Sequence, residues 1–572
     1  MNPGFYLWRL MVWACANRAN FVWGHKRGFP QLTRLTVLTV LYITPKVPPR
    51  EGTRPTTSCR PGPLTRRRGF MSSCLAVLSL AAICPVVAGE LHWDTGPGYR
   101  SAALSVPKEG RNGFTRVPGS VSGILFTNVL SQEGGVRTQL RLAGSGVAAG
   151  DVDSDGWCDL YFCGMEGGNR LYRNLGAWHF EDITDQAGVR CAGQYSTGTV
   201  FADVDGDGDL DLLVNSIGGG TRLFLNDGKG RFQEATDRGL ARKYGATTMA
   251  LGDVDGNGTL DLYVADNNSP TALGDEPNTR FTLQVVEGKP MIMAVDGKPV
   301  AGSELTGRYA VSPFDNSIRE HGQPDILYLN DGTGHFTPVS WTNGVFLDEE
   351  GKTLAAAPRD LGLSAMFRDM NEDGAPDIYV CNDLFTPDRI WINDGRGSFR
   401  AMPRTAVRNS SAFSMGIDFA DINRDGDDDF LVVDMLSRDH RQRIVQAAHM
   451  TPVTIRAGEK NERMQIKRNV LQLNRGDGTY AEIAHLSGLE ASAWSWATLF
   501  LDVDLDGYED VLVAAGYDRD SMNGDVDSEI ERRRTEHPLH IAGRRGQAGH
   551  HGGGWEAGRG HRVDGAVWGQ SV

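Results

Sequence analysis

A nine-residue pattern, D-x-D/N-x-D/N-G-x-x-D, recurs six times, and internal repetition constrains a fold more than any composition does. The copies are Asp151, Asp153, Asp155, Gly156, Asp159; Asp203, Asp205, Asp207, Gly208, Asp211; Asp253, Asp255, Asn257, Gly258, Asp261; Asp369, Asn371, Asp373, Gly374, Asp377; Asp421, Asn423, Asp425, Gly426, Asp429; and Asp502, Asp504, Asp506, Gly507, Asp510. The steps between them are 52, 50, 116, 52 and 81 residues. Side chains at positions one, three and five converge only if the chain curls around a point, and Gly at position six permits the sharp turn. The carbonyl of position seven and the carboxylate of position nine can complete an oxygen cage. Hard oxygens with several negative charges suit Ca²⁺. Carboxylates 4 Å apart repel by roughly 1 kcal/mol per pair even in water, so such a loop without a cation is self-destabilising.

The pattern begins like an EF-hand, which needs a bidentate Glu at position twelve and flanking helices. Position twelve is instead Phe162, Val214, Val264, Val380, Val432 and Val513. The runs ending there, such as Leu160-Tyr161-Phe162 and Ile378-Tyr379-Val380, read as buried strands. Each loop is therefore expected to enter a strand, and the EF-hand is rejected. A second element follows: Asn226-Asp227-Gly228-Lys229-Gly230-Arg231-Phe232, Asn330 to Phe336 and Asn393 to Phe399, with looser copies at Asn174–Phe180 and Asn474–Tyr480. Asp-Gly between apolar runs signals a hairpin. Each unit reads strand, calcium loop, strand, hairpin, strand; roughly 50 residues with about four strands is the size of a propeller blade. The long steps are explained by insertions at about 269–324, expected to hold a protruding hairpin, and about 440–467, expected to be helix or loop. Each falls after a unit's first strand and before its hairpin, and loops on a rigid scaffold are where binding specificity sits.

These residues resemble FG-GAP/VCBS repeats, the β-propeller units whose calcium loops also occur in integrin α subunits. Gly146–Asp151, Asn169–Asn174 and Ile183–Val189 are similar to secreted bacterial relatives of cartilage acidic protein, a group that often carries an ASPIC/UnbV module. The resemblance covers about residues 115–520. It implies an all-β, seven-bladed propeller outside the cytoplasm, with structural calcium and usually no known chemistry. It assigns calcium ligation to the six Asp/Asn sets above, about six ions in all. With six loops, the seventh blade is expected to be loopless or assembled from the segment near Gly123–Leu142 and the C-terminal region. No ASPIC/UnbV module is recognisable after Gly516.

Charge supports cations as partners. The chain's net charge of −14 conceals +11 over residues 1–70, where 12 Lys/Arg face Glu51 alone, and −25 over the rest. A body that acidic repels nucleic acid and anionic membrane. No run of 18 apolar residues predicts a transmembrane span. Arg66-Arg67-Arg68-Gly69-Phe70-Met71, the apolar stretch Cys74–Val87 and Ala88-Gly89 describe an export signal at 66–89, of the general secretory or twin-arginine type. Translation is then expected to start near residue 66 or 71, leaving 1–65 as an upstream extension. Ile83 before Cys84 argues against a lipid anchor. The propeller is assigned to 112–525, and the Gly-rich segment 526–572 is read as a floppy or aberrant tail.

Signals of catalysis fail. H-E-x-x-H and G-x-S-x-G are absent, and Gly351-Lys352-Thr353 lacks the earlier Gly of a phosphate loop, where Phe346 stands. His179 and His335 are read as surface residues beside hairpin aromatics. Trp494 and Trp496 alternate at strand spacing, one packing between blades, with sugar stacking as the alternative. Cys158, Cys163, Cys191 and Cys381 fit no zinc spacing; Cys163–Cys191 pairing and free thiols both stay open. The reading is a secreted or periplasmic, monomeric, calcium-binding propeller, a non-enzymatic adhesion or binding module for a protein or glycan. The alternative is a polysaccharide lyase or hydrolase on the same scaffold.

Overall fold

A computed structural model describes residues 93–96 and 99–102, then 114–131, 139–267, most of 279–383, 386–447, 463–503 and 507–516, with a few single positions besides. The expected extension 1–65, the export signal 66–89 and, but for Glu529, the tail 526–572 lie outside the described residues. The chain divides into two compact units. In the smaller, Trp93–Gly96 and Tyr99–Ala102 pair antiparallel.

The larger unit is all-β, built from a row of antiparallel sheets. The first sheet runs Val147–Gly150, Asp159–Phe162, Arg170–Asn174, Phe180–Asp182. The second runs Tyr195–Ala202, Asp211–Ile217, Arg222–Asn226, Phe232–Ala235. The third takes Ala246–Gly252, Asp261–Asp266, Ile326–Asn330 and Phe336–Pro338. The fourth takes Gly362–Arg368, Asp377–Asn382, Arg389–Asn393 and Phe399–Ala401, with Phe346–Leu347 added in parallel at its edge. The fifth takes Gly416–Ala420, Asp429–Val433, Val470–Asn474 and Tyr480–Glu482. Of the sixth, Ser495–Leu501 and Asp510–Ala515 are described.

In the first five sheets the second strand is buried on both faces, which is why it reads as an unbroken apolar run. The two-residue period divides its side chains between two cores. Leu262 and Val264 face the core shared with the second sheet, whereas Tyr263 and Ala265 face the core shared with the fourth. Cores of the same kind join the first sheet to the second, the fourth to the fifth, and the fifth to the sixth. First strands of successive sheets lie side by side in chain order throughout the row.

The sequence expectations hold for the loops, which run from first strand to second, and for the hairpins, which join third strand to fourth. Two differ. The segment near Gly123–Leu142 contributes no strand among its described residues; it forms a short helix at Gly119–Ser122 and a 3₁₀ turn at Gln139–Ala143. Its Ile124 and Phe126 instead cover the outer face of the first sheet, Phe126 stacking on Phe162 at 5.1 Å. The insertions interrupt the chain after the second strand of a sheet, not the first, because each loop is itself preceded by a strand. The first insertion does hold a hairpin, Phe281–Val286 with Lys289–Val295, over its own small core around Ile292, Val295 and Leu305. The second starts as a helix, His440–Ala447, and ends in Met464–Ile466, which pairs in parallel with Asn409–Ser411. Of the two alternatives open for the cysteines, the structure has Cys158, Cys163, Cys191 and Cys381 as free thiols.

Antiparallel alternation fixes which features share an edge. The Asp-rich loops and the N-D-G hairpins lie at one edge of each sheet, and the insertions emerge from the opposite edge.

Candidate metal centres

Each loop is wound by its own carboxylates. Asp151 accepts the backbone N–H of Asp155 at 3.1 Å and of Gly156 at 2.8 Å. Asp203, Asp253, Asp369, Asp421 and Asp502 hold the Gly at position six the same way, at 2.8–3.0 Å. That Gly has φ between 88° and 100° in all six copies, a left-handed backbone that a Cβ would strain. Position five caps position seven: Trp157 N donates to Asp155 at 2.9 Å, and Asp207, Asn257, Asp373 and Asp425 accept the corresponding N–H groups.

Position nine is fully buried where the strand begins in the first five copies, whereas Asp510 of the sixth is exposed. One oxygen of Asp159 accepts Val152 N at 3.0 Å and the other accepts Asn174 N at 2.7 Å. Asp211, Asp261, Asp377 and Asp429 each accept the equivalent pair. Burial pushes the Asp159, Asp211 and Asp377 carboxyls up to about 7, and Asp261 and Asp429 up to about 6, despite the N–H donors pulling them down. In the sixth copy Asp510 accepts Val503 N at 3.1 Å; Asp504 and Asp506 lie outside the described residues.

Three loops gather carboxylate oxygens within 4.8 Å of one another: Asp151, Asp153 and Asp159; Asp203, Asp205 and Asp211; Asp253, Asp255 and Asp261. Asp155 and Asp207 at position five are not in these trios. In the fourth and fifth loops position three is an amide: Asn371 donates to Asp373 at 2.9 Å and Asn423 to Asp425 at 2.8 Å. One oxygen of Asp153 and one of Asp205 are buried without a hydrogen-bond partner. Burial pushes both carboxyls up, with the neighbouring Asp155 or Asp207 charge adding to it. Converging hard oxygens, two of them orphaned, fit a divalent cation such as Ca²⁺, and these clusters can hold a metal.

Two polar devices escaped the sequence reading. At the opposite end of the second strand, the residue before the third strand caps a backbone N–H and meets a tyrosine. Asn169 accepts Gly164 N and donates to Tyr161; Asp325 accepts Asp266 N and the Tyr263 hydroxyl; Asp388 accepts Asn382 N and the Tyr379 hydroxyl. The recurring D-L/I-Y after the loop was the available signal. The second device is a latch between sheets. The side-chain amide of Asn226 donates both to Leu210 O in its own sheet and, at 2.8 Å, to Val152 O in the preceding loop. Asn330 and Asn393 reach Val204 O and Val254 O identically, at 2.8 and 2.9 Å. The N-D-G turn is thus a hairpin and a clasp on the neighbouring Asp-rich loop. His179 and His335 are exposed, as expected, and Trp494 and Trp496 both pack against the fifth core at a ring separation of 6.4 Å.

Comparison with known proteins bears on these loops. FG-GAP-like repeats match residues 151–214, 203–264 and 369–432, so the loops and their strands carry that repeat. Cartilage acidic protein 1 of Xenopus tropicalis is 27% identical over 227 residues, 39% of this chain and 33% of that protein. The mouse and human proteins of that name are 33% and 32% identical over 115 residues, 20% of this chain and 18% and 17% of theirs. The aligned part thus spans a third or less of these relatives. Among solved structures, a lectin from Agrocybe aegerita that recognises non-reducing terminal N-acetylglucosamine aligns over 58% of this chain and 77% of its own, with 17% identity and a TM-score of 0.27. That likeness is too loose to assign a ligand.

Proposed function

Because the chain carries FG-GAP-like repeats whose acidic side chains converge, we propose that it is an extracellular calcium-stabilised β-propeller acting as a non-enzymatic binding or adhesion module. The observation that carries the calcium reading is the trio of converging carboxylates with a buried, unpartnered oxygen on Asp153 and on Asp205. Bound calcium would be held by positions one, three and nine of the first three loops, with Asp369, Asn371, Asp373, Asp377, Asp421, Asn423, Asp425, Asp429, Asp502, Asp504, Asp506 and Asp510 serving the other three, and position five and the position-seven carbonyl completing the cage. It would neutralise charge and fix loop to strand; the protein's own residues do the rest. The side-by-side order of first strands supports a ring, with six calcium-loop blades and a seventh that closes it.

The opposite edge supports the binding half of the reading. It carries both insertions, and loops on a rigid scaffold are the parts able to vary with a partner. Protein and glycan are the two partner classes. Export directed by the segment 66–89 would carry the module out of the cytoplasm, to the periplasm or beyond the cell. Among the described residues no helix is long and apolar enough to cross a membrane.

Thermal unfolding with calcium or with a chelator tests the first half. Extracellular calcium modules bind at about 10⁻⁴–10⁻³ M, and each filled site stabilises the folded state by mass action. A midpoint unmoved by chelation refutes it. Protein and glycan arrays run beside a polysaccharide-cleavage screen test the second half: turnover on any polysaccharide, without saturable non-cleaving binding, refutes it in favour of a lyase or hydrolase.

A further inference from the structure

Arg173 sets the first loop apart. The residue before the hairpin Asn is apolar in the other four sheets that have this hairpin among the described residues: Leu225, Leu329, Ile392 and Leu473. In the first it is Arg173, whose Nε lies 2.7 Å from an Asp153 oxygen and whose Nη2 lies 3.6 Å from an Asp155 oxygen. The Nε contact is one of charge, not an aligned hydrogen bond. The Asp153 side chain is only 8% exposed, and its other oxygen has no partner. Among the described residues, no Arg or Lys makes an ion pair with the Asp residues of the second or third loop.

We propose that Arg173 is the built-in counter-charge of the first loop, making it a weaker divalent-cation site than the second and third; this rests on the reading that the loops take calcium. The trio Asp151, Asp153, Asp159 is otherwise the same as its two counterparts. A cation entering it must first displace a guanidinium from Asp153, and Arg173, at 41% exposed, has solvent to swing into. The displaced contact is lost from the binding free energy of this loop alone. Without calcium, the same guanidinium relieves the carboxylate repulsion that the second and third loops must bear unaided. The first loop thus stays wound at calcium concentrations where its neighbours loosen.

Terbium luminescence tests this, because Trp157 occupies position seven of the first loop and is the tryptophan placed to sensitise an ion there; positions seven of the next four loops are Asp209, Thr259, Ala375 and Asp427. In the full chain, tryptophan-sensitised emission that disappears in Trp157→Phe is expected to rise at terbium concentrations at least tenfold above those that fill the tight sites seen by calorimetry. Arg173→Leu is expected to lower that midpoint tenfold or more. Arg173→Leu is also expected to melt below the parent in chelator, and the gap to close in saturating calcium. An unchanged terbium midpoint overturns the proposal, as does a melting gap equal in both conditions, which marks a purely structural role. Arg173→Gln provides the same comparison should Arg173→Leu not fold. If Asp205→Asn and Asp255→Asn leave the calorimetric heat and stoichiometry of the parent unchanged, the calcium reading falls and this proposal with it.

Discussion

Removing the cation should invert the pH dependence of stability. The position-nine carboxyls of Asp159, Asp211, Asp261, Asp377 and Asp429 are buried, and burial lifts them from 3.8 to about 6–7. In the unfolded chain they titrate near 3.9. Between these values the folded state binds more protons than the unfolded one, so stability falls as pH rises through the window from about 4 to about 7. Each unit of separation is worth about 1.4 kcal/mol, so one loop loses on the order of 3 kcal/mol by pH 8. The metal-free protein should therefore melt higher at pH 5 than at pH 8. Calcium supplies the missing counter-charge, so its stabilisation should be largest at pH 8 and nearly absent at pH 5, where protons occupy the same oxygens. Circular dichroism melts across this range, with chelator and with saturating calcium, measure both curves. A chelated midpoint that rises with pH, or a calcium shift equal at both ends, would refute the reasoning.

Other substitutions separate ion binding from scaffolding. Asp205→Asn should remove one calcium from the calorimetric stoichiometry while leaving the chelated melt unchanged or raised, since one of its oxygens has no protein partner. Asp211→Asn should instead cost about 1–3 kcal/mol in urea unfolding with chelator at pH 5, because an amide cannot accept both Val204 N and Asn226 N, and should also shrink the stabilisation by calcium, because it removes a ligand. Asn330→Ala should weaken the clasp between the second and third sheets by a similar amount, and the loss should persist in chelator. Gly239→Ala should abolish soluble expression or lower the melt sharply: a Cβ there would stand 1.7 Å from Phe336 O, on a backbone with φ of 85°. Cys163 and Cys381, buried as free thiols, should resist alkylation until the protein is unfolded; modification at the native rate of an exposed thiol would count against their placement.

What could be read in the sequence was whatever the chain repeats in register. The Asp spacing and the apolar run after it define the loop and the second strand because both are local: Asp151 winds onto Gly156 five residues away, and Leu160-Tyr161-Phe162 follows at once. First strands were harder to place. Tyr195–Ala202 contains Ser196, Thr197 and Gly198, and its register slips between Ser196 and Thr199, so no clean alternation marks it. That is also why the insertions were placed one strand too early. The clasp of Asn226 on Val152 joins residues 74 apart, and nothing local distinguishes that Asn from any other hairpin Asn. Arg173 lay in plain sight as the one charged residue in a column of Leu and Ile, but its meaning depends on Asp153 lying across the loop from it.

The clasps also say why the acidic loops cannot be independent of one another. Val152, Val204 and Val254 each give their N–H to the buried Asp of their own loop and their carbonyl to the Asn of the next sheet. One peptide segment therefore bears both the carboxylate that an ion would neutralise and the seam that holds the neighbour. If charge repulsion opens a loop, position two shifts, and the clasp loses its acceptor together with the loop's own hydrogen bond. Loss of one ion should thus be felt by the following sheet through that carbonyl, and Asn226→Ala, which removes the clasp but no carboxylate, should narrow the calcium-dependent gap in melting temperature. If the gap stays as wide as in the parent, loop and seam are uncoupled and the acidic loops act one at a time.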